Sequence, residues 1–133
     1  MKELSTIEFE KFIESNDKPS VIMVKTTRCP NCKALAPIFE KTGKEIAEKA
    51  DFNYLVVDDK RELARSLKIM GVPTMLFYRH GVLIAKKVGN QSPSSIKKVI
   101  DSLVDLTPEE ANDKEYRSFF SKLFGKKQNT HNL

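Results

Sequence analysis

The chain has 133 residues, 40% of them hydrophobic and 31% charged, which fits one packed domain with a short appendage and excludes disordered and fibrous classes. No apolar run approaches the roughly 20 residues of a spanning helix, and Glu3, Glu8 and Glu10 interrupt any secretory h-region, so a cytoplasmic protein is expected. The net charge of +5 is uneven, with 18 Lys and Arg against 17 Asp and Glu in residues 1–113 but five against one in residues 114–133; a nucleic-acid binder should carry its basic face on the fold itself, and no nucleic-acid partner is expected.

Ser5 and Glu8 have capping-box spacing, and Ile7, Phe9, Phe12 and Ile13 supply an apolar stripe, predicting a short helix that Asn16-Asp17-Lys18-Pro19 stops. Ser20 to Thr26 reads as a strand whose Val21-Ile22-Met23-Val24 run is apolar on both faces, as in a central strand. A long helical segment follows Cys29-Pro30-Asn31-Cys32 and runs to about Lys49, with Leu35, Ile38, Phe39 and Ile46 on one side and a kinking Pro37 inside. Phe52 to Val57 is a second strand, and Asp59 with Glu62 offers a cap for a helix through Leu67. Thr74–Tyr78 and Val82–Val88 are strands joined through Arg79-His80-Gly81, a hairpin spacing. Ser92-Pro93 opens a helix with Ile96, Val99, Ile100 and Leu103 as its stripe.

Thr107-Pro108-Glu109-Glu110 carries another start signal. Within residues 113–127, Tyr116, Phe119, Phe120, Leu123 and Phe124 recur at the spacing of one helical face, with Arg117, Lys122, Lys126 and Lys127 largely off it. Such a C-terminal amphipathic helix packs on the domain's own surface, lies on an anionic membrane, or docks in a protein partner's groove. Gln128–Leu133 is expected to be disordered.

Cys29 and Cys32 sit where a strand ends and a helix begins. A thiolate there meets unpaired backbone N–H groups and the positive end of the helix dipole. Arg28 and Lys33 add charge, and Pro30 and Asn31 complete the tuning set. Cys29 is the expected nucleophile and Cys32 the thiol that resolves the mixed disulfide. A bare CxxC is also half a zinc site, but zinc needs about four ligands. Only His80 and His131 remain to supply them, and both read as solvated, so no metal is expected.

With these features in place, the chain resembles the thioredoxin family. Cys29-Pro30-Asn31-Cys32 takes the redox-motif position, and Pro37 falls where that family kinks its active-site helix. Asp58 ends a strand 15 residues before Pro73 of Gly71-Val72-Pro73-Thr74, which is similar to the family's cis-proline loop, and Gly81 and Gly89 follow at the family's spacing. The resemblance covers about residues 1–104. It implies an α/β thioredoxin fold, a central mixed sheet flanked by helices, over a domain of residues 1–106, with a C-terminal helical extension at 107–133. It further implies a protein-disulfide reductase with no bound cofactor beyond the Cys29–Cys32 disulfide. Pro73 would be cis and face that disulfide, Val72 would pair with substrate backbone, and a flavoprotein disulfide reductase would supply electrons.

The departures are specific. Arg28 stands where the family has an aromatic, Met23 where it buries an aspartate, and Tyr54 where a lysine partners that acid. Fast turnover is thereby put in question. The alternatives are a low-activity interaction or targeting module recruited by the basic tail to a membrane or a partner, and a glutaredoxin-like or oxidising enzyme, which Pro30 directly after the first cysteine resembles.

Overall fold

The computed structural model describes residues 1–116. Strands β1 (Ser20–Lys25), β2 (Asp51–Val56), β3 (Thr74–Arg79) and β4 (Val82–Val88) form one mixed sheet in the order β2-β1-β3-β4. β1 runs parallel to β2 and antiparallel to β3, and β3 and β4 make an antiparallel hairpin. Helices α1 (Thr6–Ser15), α2 (Pro30–Glu45), α3 (Arg61–Ser66), α4 (Pro93–Leu103) and α5 (Pro108–Asp113) complete the order.

β1 explains the layering. Its side chains alternate between two apolar clusters, and both are covered, which is why the strand carries no polar face. Val21 and Met23 join Leu35 and Phe39 of α2 and Ile96, Ile100 and Leu103 of α4. Ile22 and Val24 join Phe9 of α1, Leu55, Leu76 and Tyr78. At Gly43 the helix α2 comes so close to the sheet that an added Cβ would lie 2.9 Å from Cγ of Phe52. Only glycine allows that approach.

The caps form as the sequence predicts at three helices. Ser5 and Glu8 close a capping box on α1, Ser92 Oγ accepts from Ser95 N at 3.1 Å, and Thr107 and Glu110 close a second box on α5. The Ser5 backbone N–H, and after it Lys2, lowers the Glu8 pKa to about 2. The two-residue turn His80-Gly81 has φ of 54° and 77°, the left-handed pair that a tight hairpin requires.

Several expectations need correction. Ile7 is 64% exposed, so the α1 stripe narrows to Phe9, Phe12 and Ile13. α2 ends at Glu45 rather than Lys49, because Ile46 leaves the helical region (φ −118°, ψ 32°) and Lys49 N donates to Ile46 O in a tighter turn. Asp59 and Glu62 do not cap α3. Lys60 occupies the N-cap with no side-chain cap bond, and Asp59 instead pairs with the Lys60 ammonium at 3.4 Å. His80 is half-buried, its Nε2 lying 2.6 Å from Leu106 O, so it ties the hairpin to the chain after α4 instead of facing solvent. Of the helix expected over 113–127, residues 114–116 are described and lie outside α5. Lys114 caps α5, and Tyr116 N donates to Leu83 O at 2.7 Å. The rest of the expected stripe, Phe119, Phe120, Leu123 and Phe124, together with His131, lies outside the described residues.

Both outer strands of the sheet receive backbone bonds from flanking segments. On β2, Leu4 N donates to Tyr54 O and Tyr54 N to Lys2 O; on β4, Tyr116 meets Leu83.

Candidate active site

β1 delivers the chain to the N-terminus of α2, and the two cysteines sit at that junction. Cys29 is the N-cap of α2 and Pro30 its first residue, where proline's missing N–H costs no helical bond. Cys29 and Cys32 are joined by a disulfide with their Cα atoms 5.2 Å apart, inside the usual range. The Cys32 backbone N–H donates to Cys29 Sγ at 3.1 Å, one of the N-terminal donors that a helix leaves unpaired. Both sulfur-bearing residues belong to the cluster beneath α2, Cys29 at 7% exposure and Cys32 at 2%. Arg28, Asn31 and Lys33 are exposed around them.

Antiparallel pairing sets Val24, near the end of β1, opposite Thr74, the first residue of β3. The loop before β3 is thereby brought to the same end of the sheet as the cysteines. There the Val72–Pro73 peptide bond is cis, Pro73 is buried, and Val72 packs against the cluster that holds Cys29 and Cys32. The Thr74 hydroxyl donates to Gly71 O at 2.6 Å and Gly89 N to Pro73 O at 2.9 Å, fixing the loop from both sides.

Two further contacts were not readable as site features. The Asp58 carboxylate accepts from Thr27 N at 3.0 Å and from the Thr27 hydroxyl at 2.8 Å, tethering the turn that leads into Cys29. The Thr27 hydroxyl holds the Asp58 pKa below its ordinary value, with the backbone N–H adding to it. Met23 faces Tyr54 across β1 and β2, both buried. The Tyr54 hydroxyl donates to Glu40 Oε2 at 2.6 Å, and the Lys25 ammonium lies 4.2 Å from the Tyr54 ring centre. Burial, reinforced by Glu40, raises the Tyr54 pKa, so this phenol stays protonated. The pair Met23 and Tyr54 therefore places no buried charge below the cysteines, and none needs a partner.

A cavity of about 230 Å³ reaches Cys32 between Lys25, Lys33, Ala36 and Val56. Among the described residues no group of three or more His, Cys, Asp or Glu is placed to hold a metal ion. What the arrangement offers is a dithiol–disulfide couple at a helix N-terminus, at the same end of the sheet as the cis Val72–Pro73 loop.

Comparison with known proteins agrees with this geometry. The family model described as thioredoxin matches residues 1–102. Thioredoxin-2 of Saccharomyces cerevisiae is 33% identical over 100 residues, which are 75% of this chain and 94% of that protein. Thioredoxin-1 of the same yeast is 36% identical over 93 residues, 70% of this chain and 87% of that protein. The crystal structure of Malassezia sympodialis thioredoxin superposes with a TM-score of 0.68 at 29% identity, covering 78% of this chain and 90% of that one.

Proposed function

This chain belongs to the thioredoxin family and is a thiol–disulfide oxidoreductase acting on disulfide-bearing proteins; from that premise we propose that it works as a reductase, with Cys29 as nucleophile and Cys32 as resolving thiol. The observation that carries the assignment is the Cys29–Cys32 disulfide at the N-terminus of α2, with Cys29 the less deeply buried of the two residues and a backbone N–H directed at its sulfur. The redox-active group is this cysteine pair itself.

In the proposed cycle the Cys29 thiolate attacks one sulfur of the substrate disulfide. A Cys29–substrate bond forms and the other substrate sulfur leaves as a thiolate. Cys32, deprotonated, then attacks Cys29 Sγ, releasing the second substrate thiol and closing the enzyme disulfide. Two electrons and two protons pass to the substrate. The cis Val72–Pro73 loop is proposed to hold the substrate strand by backbone pairing, as in strand addition. Arg28, Pro30, Asn31 and Lys33 are proposed to tune the thiolate. A flavoprotein disulfide reductase in the cytoplasm is the proposed electron donor, and residues 1–106 the proposed catalytic domain, with 107–133 as its extension.

The test is twofold. Cys29→Ser is expected to abolish disulfide exchange, and Cys32→Ser to accumulate a mixed disulfide visible by mass spectrometry; an active Cys29→Ser protein would overturn the roles. Equilibration in defined thiol–disulfide buffers is expected to give a reduction potential near that of a reducing thioredoxin, about −270 mV, whereas a value near −120 mV would make the protein an oxidant.

A further inference from the structure

We propose that the groove beside the cis Val72–Pro73 bond receives an acidic, extended segment flanking the disulfide of the substrate protein. This rests on the reductase reading above and specifies its substrate class. A cavity of about 720 Å³ opens between α3, the residues that flank the cis bond and the end of β4. Met70, 94% exposed, and Val88, 61% exposed, give it apolar wall. Among the described residues its charges are all of one sign: Arg61, Arg65, Lys68 and Lys86 line it beside Tyr116, and no carboxylate does.

The nearby acids are turned elsewhere. Asp58 is held by Thr27, Asp59 pairs with Lys60, and Asp59 and Glu62 border a second cavity, beside Thr6, that shares only Arg61 with the groove. Glu115 borders a neighbouring cavity that shares Lys68 and Lys86, yet no ion pair within 4 Å joins it to either among the described residues. Arg61 and Arg65, four residues apart, share one face of α3. The Lys86 ammonium donates to Leu67 O at 2.8 Å and Lys68 O at 3.0 Å, so it is fixed in place. Desolvation, followed by the charge of Lys68, lowers its pKa. Lys68 itself holds φ at 55°, a left-handed conformation for which glycine is the usual residue.

Charge chooses the occupant. Residues 117–133 of this chain carry four Lys and Arg and no Asp or Glu, the same sign as the groove, so its own tail is mismatched. An acidic segment is attracted, and the groove's lining includes Met70 and Thr74, which bracket the loop proposed to pair with substrate backbone.

The experiment compares two peptides of equal length with the same central disulfide, one flanked by Glu and Asp and the other by Lys, reduced by the full-length dithiol protein. The acidic peptide is expected to react about tenfold faster at low ionic strength, with the two rates converging in high salt. Arg61→Glu with Arg65→Glu is expected to reverse the preference. Lys68→Gly is expected to weaken it without lowering the melting temperature. The neutral 2-hydroxyethyl disulfide, reduced by the wild-type protein, tests the underlying reading separately. Equal peptide rates with normal turnover of that compound overturn this inference alone; no turnover of it overturns the reductase reading and this inference together. A preference that survives the double substitution belongs to the tail and also overturns the groove.

Discussion

The two faces of the sheet are built differently. Among the described residues, the face under α2 and α4 gathers fourteen buried residues in one cluster, Cys29 and Cys32 among them; the face under α1 and α3 gathers eight. α4 has a side-chain cap and buries Ile96, Ile100 and Leu103, whereas α3 has no side-chain cap and buries no residue fully. The fuller side holds the sulfur chemistry in fixed geometry. The thinner side spends its short helix on presenting cations to the groove, so packing and recognition are assigned to opposite layers of one small domain.

Substitutions in the two layers should differ most at the core. Phe39, fully buried with its ring centre 5.1 Å from those of Phe52 and Tyr54, should cost about 3–5 kcal/mol as Phe39→Ala in a denaturant titration. Leu63 of α3 is only half-buried, and Leu63→Ala should cost about 1–2 kcal/mol, below the range for a fully buried leucine. Equal losses at the two positions would erase the contrast.

The caps give a smaller version of the same comparison. Ser92→Ala removes the α4 cap and should cost about 1 kcal/mol, while Lys60→Ser supplies α3 with the oxygen it lacks and should gain about 0.5–1 kcal/mol. A stability loss in Lys60→Ser would mean that α3 is held by something other than its ends.

Acid should discriminate last and least, since the carboxylates involved are exposed and screened. Glu8 is depressed from 4.5 to about 2 in the folded chain. Its contribution is therefore fully present above about pH 4.5 and is lost as pH falls through about 2. Amide exchange followed down that window should show α1 losing protection before α2; simultaneous loss would assign no special part to the α1 capping box.

Local chemistry was the legible part. Ser5 with Glu8, Ser92 before Pro93, and Thr107 with Glu110 satisfy donors a few residues away, so their roles follow from spacing alone. The apolar run of β1 announced a strand covered on both sides, and the CxxC pair at a strand-to-helix junction announced the redox couple. Asp59 failed as a cap because two acids stand together: Asp58 is drawn 31 residues back to Thr27 and Asp59 to its neighbour Lys60. Ile7 shows the same limit, since helical periodicity fixes a stripe but not its width. Nor was the basic groove readable in sequence, where Arg61 and Arg65 sit among Asp58, Asp59 and Glu62; folding turns those acids away and adds Lys86 from a strand.

The covered edges of the sheet bear on how the protein behaves at high concentration. An open strand edge offers a row of donors and acceptors on which a second copy can template itself. Here residues 2–4 lie along β2, Tyr116 reaches β4, and Lys86 and Lys87 stand on the β4 strand. Colloidal resistance is thus written into the segments that flank the sheet rather than into its core. Trimming Met1–Leu4 would leave the disulfide in place while converting β2 into a surface on which filaments can start.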